Sequence, residues 1–315
     1  MFIAQAFKFK HDLWRYIIGV IIVIAGVFIG QIPLTVALFM EIGVEEAVTL
    51  TEGQMMTALD SNYFLFLMLL SFAVALVFLF VAVKNVHKQT LVSLTTSREK
   101  IDWGRFWFAF GLVSIFIVLT TIGDYYSNPQ DYQWNFDLIP FLILFVIAVV
   151  MVPLQTSFEE YFFRAYLMQG IGVLSRNRWL PLIITSVVFG GLHFFNPEVT
   201  KLGNIIMIYY IGTGFMLGIM ALMDEGIELS LGFHAANNLL TALLVTADWT
   251  AFQTNSIFKD ISEPSAGWDV LIPVLIIYPL FLFIMAKKYK WTDWKGKLFG
   301  KVEKPEPVHN DDFIY

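Results

Sequence analysis

The stretch LIPFLILFVIAVVMVPLQTSFEEYFFR, residues 138–164, places two adjacent carboxylates and an arginine at the end of a long apolar run. A charge-free apolar run of about 20 residues can cross the hydrocarbon core of a bilayer as a helix. Charges at membrane depth cost about 2.5–3.5 kcal/mol each on insertion scales, so they are rare and usually functional. The stretch therefore predicts a membrane-spanning helix with Glu159, Glu160 and Arg164 as candidate functional residues.

The composition of the whole chain predicts the same class. Of its 315 residues, 57% are hydrophobic and only 15% are charged, whereas a soluble domain has about 45–50% apolar and about 25% charged residues. The apolar residues form continuous runs and do not alternate as barrel strands do. We therefore predict an all-α polytopic membrane protein whose partner is the lipid bilayer. The absence of cysteine excludes disulfides, thiolate metal sites and a cysteine nucleophile, and no basic stripe indicates nucleic acid.

Charge-free runs long enough to span predict about eight transmembrane helices. The run that ends at the two glutamates is the fourth of these. The predicted spans are Tyr16–Met40, Asn62–Val83, Phe106–Gly123, Leu138–Phe158, Trp179–Pro197, Leu202–Met223, Leu229–Ala247 and Val270–Ala286.

The distribution of Lys and Arg predicts how these spans are oriented, because cytoplasmic loops carry the excess of basic residues. Basic residues concentrate at the N-terminus, in loops 84–105 and 174–178, and after residue 287, whereas loops 41–61, 124–137 and 248–269 are acidic. Both termini are therefore predicted in the cytoplasm of a multi-pass protein of the cell membrane. The loop 224–228 is predicted cytoplasmic although it has no basic residue.

The spans suggest a division of the chain into four parts. These are N-terminal helices with an amphipathic cytoplasmic loop (1–130), a core that carries the polar motifs (131–250), a last transmembrane helix (251–290) and a cytoplasmic tail (291–315), disordered beyond Lys304.

Helical spacing divides the roles of the two glutamates. Residues four apart share a helix face, so Glu160 is predicted to pair with Arg164. Glu159 is rotated by about 100° from Glu160 and is left without a partner in its own helix. A buried carboxylate of this kind suits a general base near neutral pH. The alternative is a juxtamembrane charge cluster at the end of the span.

Two later runs also carry polar groups inside apolar sequence. The fifth contains Phe189-Gly190-Gly191-Leu192-His193, and the seventh contains His234-Ala235-Ala236-Asn237-Asn238. His193 and His234 are the two of the five histidines that fall within predicted spans. Each could be a hydrogen bond between helices when taken alone, but with a free glutamate and an amide they could activate a water and stabilise an oxyanion.

The ordered set resembles the three motifs of the CPBP intramembrane proteases, which include type II CAAX prenyl proteases and the bacteriocin-processing and immunity (Abi-like) proteins. The matching elements are Glu159-Glu160-x-x-x-Arg164, Phe189-x-x-x-His193 and His234-x-x-x-Asn238, and the resemblance covers about residues 138–247. It implies an endopeptidase acting on a peptide or membrane-protein substrate. It also implies that Glu159 activates water, that His193 assists, and that His234 and Asn238 bind the oxyanion. Glu160, Arg164 and Phe189 would support them.

Three alternatives stay open from the sequence. The same fold could serve as a non-catalytic binding or bacteriocin-immunity protein. Glu159, His193 and His234 could form the proton relay of a transporter, although no repeated halves are evident. Two histidines and a glutamate could also hold zinc, whereas the resemblance favours a mechanism without a metal cofactor.

Overall fold

The computed structural model describes residues 1–304; the part of the predicted disordered tail beyond Lys304 lies outside the described residues. Within this range the chain forms eight long helices, which we number in order. They are α1 (Leu13–Ile42), α2 (Ser61–His87), α3 (Trp103–Ser127), α4 (Leu138–Ser175), α5 (Trp179–Phe195), α6 (Ile206–Asp224), α7 (Glu228–Leu244) and α8 (Trp268–Tyr289). Short helical segments lie at Ile3–Lys8, Val44–Ala47, Glu52–Thr57, Leu91–Thr95, Pro129–Asp131, Pro197–Leu202 and Trp294–Phe299.

The predicted all-α polytopic membrane fold is confirmed. Six of the helices in the described part of the chain are long and apolar enough to cross a membrane. The other two, α5 and α7, are the shorter ones that carry the histidine motifs. Each predicted span corresponds to one helix, which is consistent with the predicted number of about eight.

Helix α4 is much longer than its predicted span. It runs for 38 residues, or about 57 Å at 1.5 Å per residue, against about 30 Å of hydrocarbon. Its segment Glu160–Leu167 is wound as a wider π-helix, a form that often marks functional sites. The two glutamates therefore lie at the junction where the regular helix changes its winding.

A small three-stranded sheet was not predicted. Strands β1 (Tyr132–Trp134), β2 (Val245–Thr246) and β3 (Phe258–Asp260) lie in the order β1-β3-β2, with β1 antiparallel and β2 parallel to β3. Such short strands carry no periodic signal of their own, and β1 pairs with a strand more than a hundred residues away. The sheet joins the two acidic loops around residues 132 and 258.

The connecting loops gather at two opposite ends of the helices. At one end, the basic loops meet, with Thr96 bridged to Gly226 and Asn177 bridged to Lys301. At the other end, the acidic loops meet, and the Asn135 backbone N–H donates to the Ile257 carbonyl. The N- and C-terminal segments therefore share one end, as an even number of crossings requires. That this end faces the cytoplasm stays a prediction.

The loop 224–228 has no basic residue of its own, but at the basic-loop end its acidic residues pair with arginines of another loop. Arg98 pairs with Asp224 at 3.0 Å and with Glu228 at 2.9 Å, and Arg105 forms a second ion pair with Asp224. The neighbouring loop thus supplies the positive charge that this loop lacks.

Glycines bring α5 and α6 close together. A Cβ on Gly190 would lie 2.5 Å from Ile211, and one on Gly214 would lie 2.7 Å from the Ser186 carbonyl oxygen. A Cβ on Gly191, in contrast, would meet no atom within 4 Å. Of the two glycines before His193, therefore, only Gly190 mediates helix packing, and it sets the distance between α5 and α6.

Candidate active site

Glu160 is the anchor of a fully buried ion pair. Its Oε1 accepts a hydrogen bond from Arg164 at 3.0 Å, as the spacing predicted, and a second from Nδ1 of His234 at 2.9 Å. Both Glu160 and Arg164 are 0% exposed. The Arg164 guanidinium stacks over the ring of Phe189, 3.9 Å from its centroid. Glu160 thus links α4 to α7, and Phe189 of α5 covers the pair.

Glu159 points to the same histidine but is bound differently. Its Oε1 accepts a hydrogen bond from Nε2 of Gln155 at 2.8 Å. Its Oε2 is buried and has no hydrogen-bond partner among the described residues, and it lies 3.4 Å from Nε2 of His234. The expectation that Glu159 has no partner in its own helix was wrong, because Gln155 lies one turn before it. One carboxylate oxygen is held and the other faces His234.

A chain of side-chain amides extends from Glu159. Nδ2 of Asn238 donates to Oε1 of Gln155 at 3.2 Å, and Nδ2 of Asn237 donates to Oδ1 of Asn238 at 3.1 Å. Gln155 is 5% exposed. Sequence reasoning missed Gln155, although a lone amide four residues before Glu159 in an apolar run was a usable signal.

His193 is held in one orientation. Its Nδ1 lies 2.9 Å from the Phe189 carbonyl oxygen, which can only accept, so Nδ1 carries the proton and Nε2 is left as an acceptor. Its ring stacks on Tyr210, with centroids 4.4 Å apart, and contacts Phe189 at 4.9 Å. Tyr210 belongs to α6, which was not expected to contribute to the site.

The three motifs come together around Phe189. Its ring lies 4.9 Å from that of His193 and 6.1 Å from that of His234, measured between centroids. No hydrogen bond between described residues joins His193 directly to Glu159, His234 or Asn238. Glu159, His234 and Asn238 therefore form a connected cluster with Glu160 and Arg164, and His193 lies beside it.

Within residues 1–304, no group of three or more His, Asp or Glu side chains has the arrangement of a metal site. His234 contacts both glutamates through its two ring nitrogens, and His193 donates Nδ1 to a carbonyl. The expectation that no metal cofactor is needed stays a prediction.

Fold and site together define a class: a multi-pass helical membrane protein with a buried glutamate, histidine and asparagine cluster between its helices. Comparison with known proteins shows which family this part of the chain resembles. Residues 137–240 match the model of the family described as "Type II CAAX prenyl endopeptidase Rce1-like". This match confirms the resemblance seen in the three motifs, and the family that it matches is a protease family.

A relative supports the wider similarity of the chain. This chain is 28% identical over 270 residues to the uncharacterized protein YyaK of Bacillus subtilis (strain 168). The alignment covers 85% of this chain and 89% of that protein. The similarity therefore extends beyond residues 137–240. No solved structure shows a significant match to this chain.

Proposed function

We propose that the protein is an intramembrane endopeptidase that hydrolyses a peptide bond in or near the bilayer, with Glu159 as the general base. The observation that supports this most directly is the unequal state of the two Glu159 oxygens. Oε1 is held by Gln155, whereas Oε2 is buried, has no hydrogen-bond partner among the described residues and lies 3.4 Å from His234 Nε2. A substrate water bound at Oε2 would be within reach of both groups.

In the proposed reaction, Glu159 takes a proton from the water, and the water oxygen attacks the scissile carbonyl carbon. The resulting tetrahedral intermediate carries the charge on the former carbonyl oxygen. Asn238 and the Nε2 atom of His234 donate hydrogen bonds to that oxyanion, and the loss of one such donor typically costs about 10²–10³ in turnover. Glu159 then returns its proton to the leaving amine as the C–N bond breaks.

Glu160 and Arg164 act in this proposal by orienting His234. Because Nδ1 of His234 donates to Glu160 Oε1, Nε2 is the nitrogen that faces Glu159 and the substrate. His193, with Nε2 free as an acceptor, assists by accepting a hydrogen bond from the water or from the leaving group.

The test is Glu159→Gln, which keeps the shape and the Gln155 contact but removes the base. Membranes with wild type and variant are compared by quantitative peptidomics, and the purified proteins are compared on the peptides so found. We expect processing to fall to background. The matched control is Glu263→Gln, a carboxylate whose side chain is 90% exposed, and it should leave processing unchanged.

The same experiment separates the proposal from a non-catalytic binding or immunity role. Unchanged processing, or a cellular phenotype fully retained by Glu159→Gln at wild-type abundance, would refute the protease mechanism and favour the binding role. Retained helicity by circular dichroism shows that any loss of processing is not unfolding.

A further inference from the structure

A groove at the end of α8 lies far along the chain from the motif residues. It is an open groove with a volume of about 640 Å³, and it lies where α8 meets the following segment. Its apolar part is formed by Pro279, Leu282 and Phe283 on α8, and its rim by Lys287 and Lys290. Pro279 and Lys287 are eight residues apart, so the groove extends about 12 Å along the helix from its apolar part to its rim. The groove therefore combines an apolar surface along α8 with positive charge at its rim.

The two rim lysines are exposed and have no carboxylate partner. Within residues 1–304, no Asp or Glu oxygen lies within 4 Å of Lys287 or Lys290, whereas Lys297 contacts Glu225 at 3.7 Å. Lys287 Nζ lies 5.5 Å from the ring centroid of Phe283, at the boundary between rim and apolar part. These charges are available to an anion that enters the groove.

Two tryptophans place the rim at the membrane surface. Trp291 and Trp294 line the groove, with ring centroids 6.0 Å apart, and tryptophan is enriched at the headgroup level. Trp291 Nε1 donates to Asp224 at 3.1 Å, which fixes this ring at the end of α6. The lysines thus lie at the depth of headgroups and Phe283 lies at the depth of acyl chains.

We propose that this groove is a binding site for an anionic phospholipid, with the phosphate between Lys287 and Lys290 and an acyl chain over Leu282 and Phe283. Charge complementarity selects the class of lipid. A zwitterionic headgroup carries its own cation and gains little from the lysines, whereas each lysine gives roughly a fivefold preference for an anionic surface.

The experiment uses the full chain in vesicles of phosphatidylglycerol and phosphatidylcholine mixed one to four. After mild detergent extraction, the phospholipids retained by the protein are counted by native mass spectrometry. We expect wild type to be enriched in phosphatidylglycerol by about tenfold or more, from the two lysine contributions. Lys287→Gln with Lys290→Gln should remove most of the enrichment.

The matched control is Lys84→Gln with Lys100→Gln, two exposed lysines at the same end of the helices with the same change in charge. Equal losses in both double variants would show a general surface effect and overturn the site. Equal retention of the two lipids by wild type would also overturn it. Displacement of bound lipid by inorganic phosphate alone would assign the rim to a free anion, against the lipid proposal.

Discussion

Removal of Arg164 should destabilise the protein far more than removal of an ordinary ion pair. Arg164 and Glu160 are both 0% exposed, and their atoms are 3.0 Å apart. Arg164→Met replaces the guanidinium by an apolar chain of similar length and leaves the Glu160 charge buried. The cost of breaking a buried pair is about 3–5 kcal/mol, because the remaining charge is uncompensated.

The local contacts refine that magnitude. Nδ1 of His234 still donates to Glu160 after the substitution, so part of the charge stays compensated and we expect about 3 kcal/mol. The double variant Glu160→Gln, Arg164→Met removes both charges, and its free energy of unfolding should recover by about 2 kcal/mol relative to Arg164→Met. That recovery is the coupling expected for directly contacting residues.

The assay is reversible unfolding in mixed micelles, followed by tryptophan fluorescence and circular dichroism across the double-mutant cycle. The control cycle uses Lys201 and Glu263, an ion pair at 3.1 Å whose side chains are 43% and 90% exposed. Exposed pairs contribute about 0–1 kcal/mol. If Arg164→Met changed the free energy of unfolding by no more than Lys201→Met, the buried-pair reasoning would be refuted.

Three further predictions follow from single contacts. Gln155→Leu should lower turnover by about 10- to 100-fold in the peptide assay. The reason is that it removes a hydrogen bond to the charged Glu159, and such a bond contributes about 1.5–3 kcal/mol. If the variant kept wild-type turnover, an orienting role of Gln155 would be excluded. Gly190→Ala should lower the free energy of unfolding by about 1–3 kcal/mol through overpacking, whereas Gly191→Ala, which meets open space, should not lower it; equal effects would contradict the packing argument. Burial raises the pKa of Glu198 above its ordinary value of 4.5, so the folded state holds that proton more tightly and wild type loses stability as pH rises through the raised pKa. Glu198→Gln should therefore melt higher than wild type at neutral pH, with a difference that closes as pH falls towards 4.5; a constant difference would refute the assignment.

Some of the site was predictable because it depends on one helix alone. The Glu160–Arg164 contact follows from residues four apart sharing a face, and the same rule would have indicated Gln155 next to Glu159. Helical spacing also separated the two glutamates. The functional roles assigned to Glu159, His193, His234 and Asn238 stay predictions that the experiments above test.

Contacts between helices were not predictable from spacing. His234 contacts Glu160 through Nδ1 and lies near Glu159 through Nε2, which depends on how α7 is rotated against α4. Tyr210 contacts His193 across the interface between α5 and α6, where Gly190 and Gly214 allow a close approach. The small sheet likewise needs two loops that are distant in sequence to meet.

The sequence by itself determined that this is an α-helical membrane protein, because lipid leaves helices as the solution for long uninterrupted apolar runs. It also determined which rare polar groups lie inside those runs. Only the tertiary structure decided which contacts these groups make. Glu160 accepts hydrogen bonds from Arg164 and His234, and Glu159 accepts one from Gln155 at one of its two oxygens. The physical reason is that side-chain contacts across helices depend on packing distance and rotation, which no periodicity along a single helix encodes.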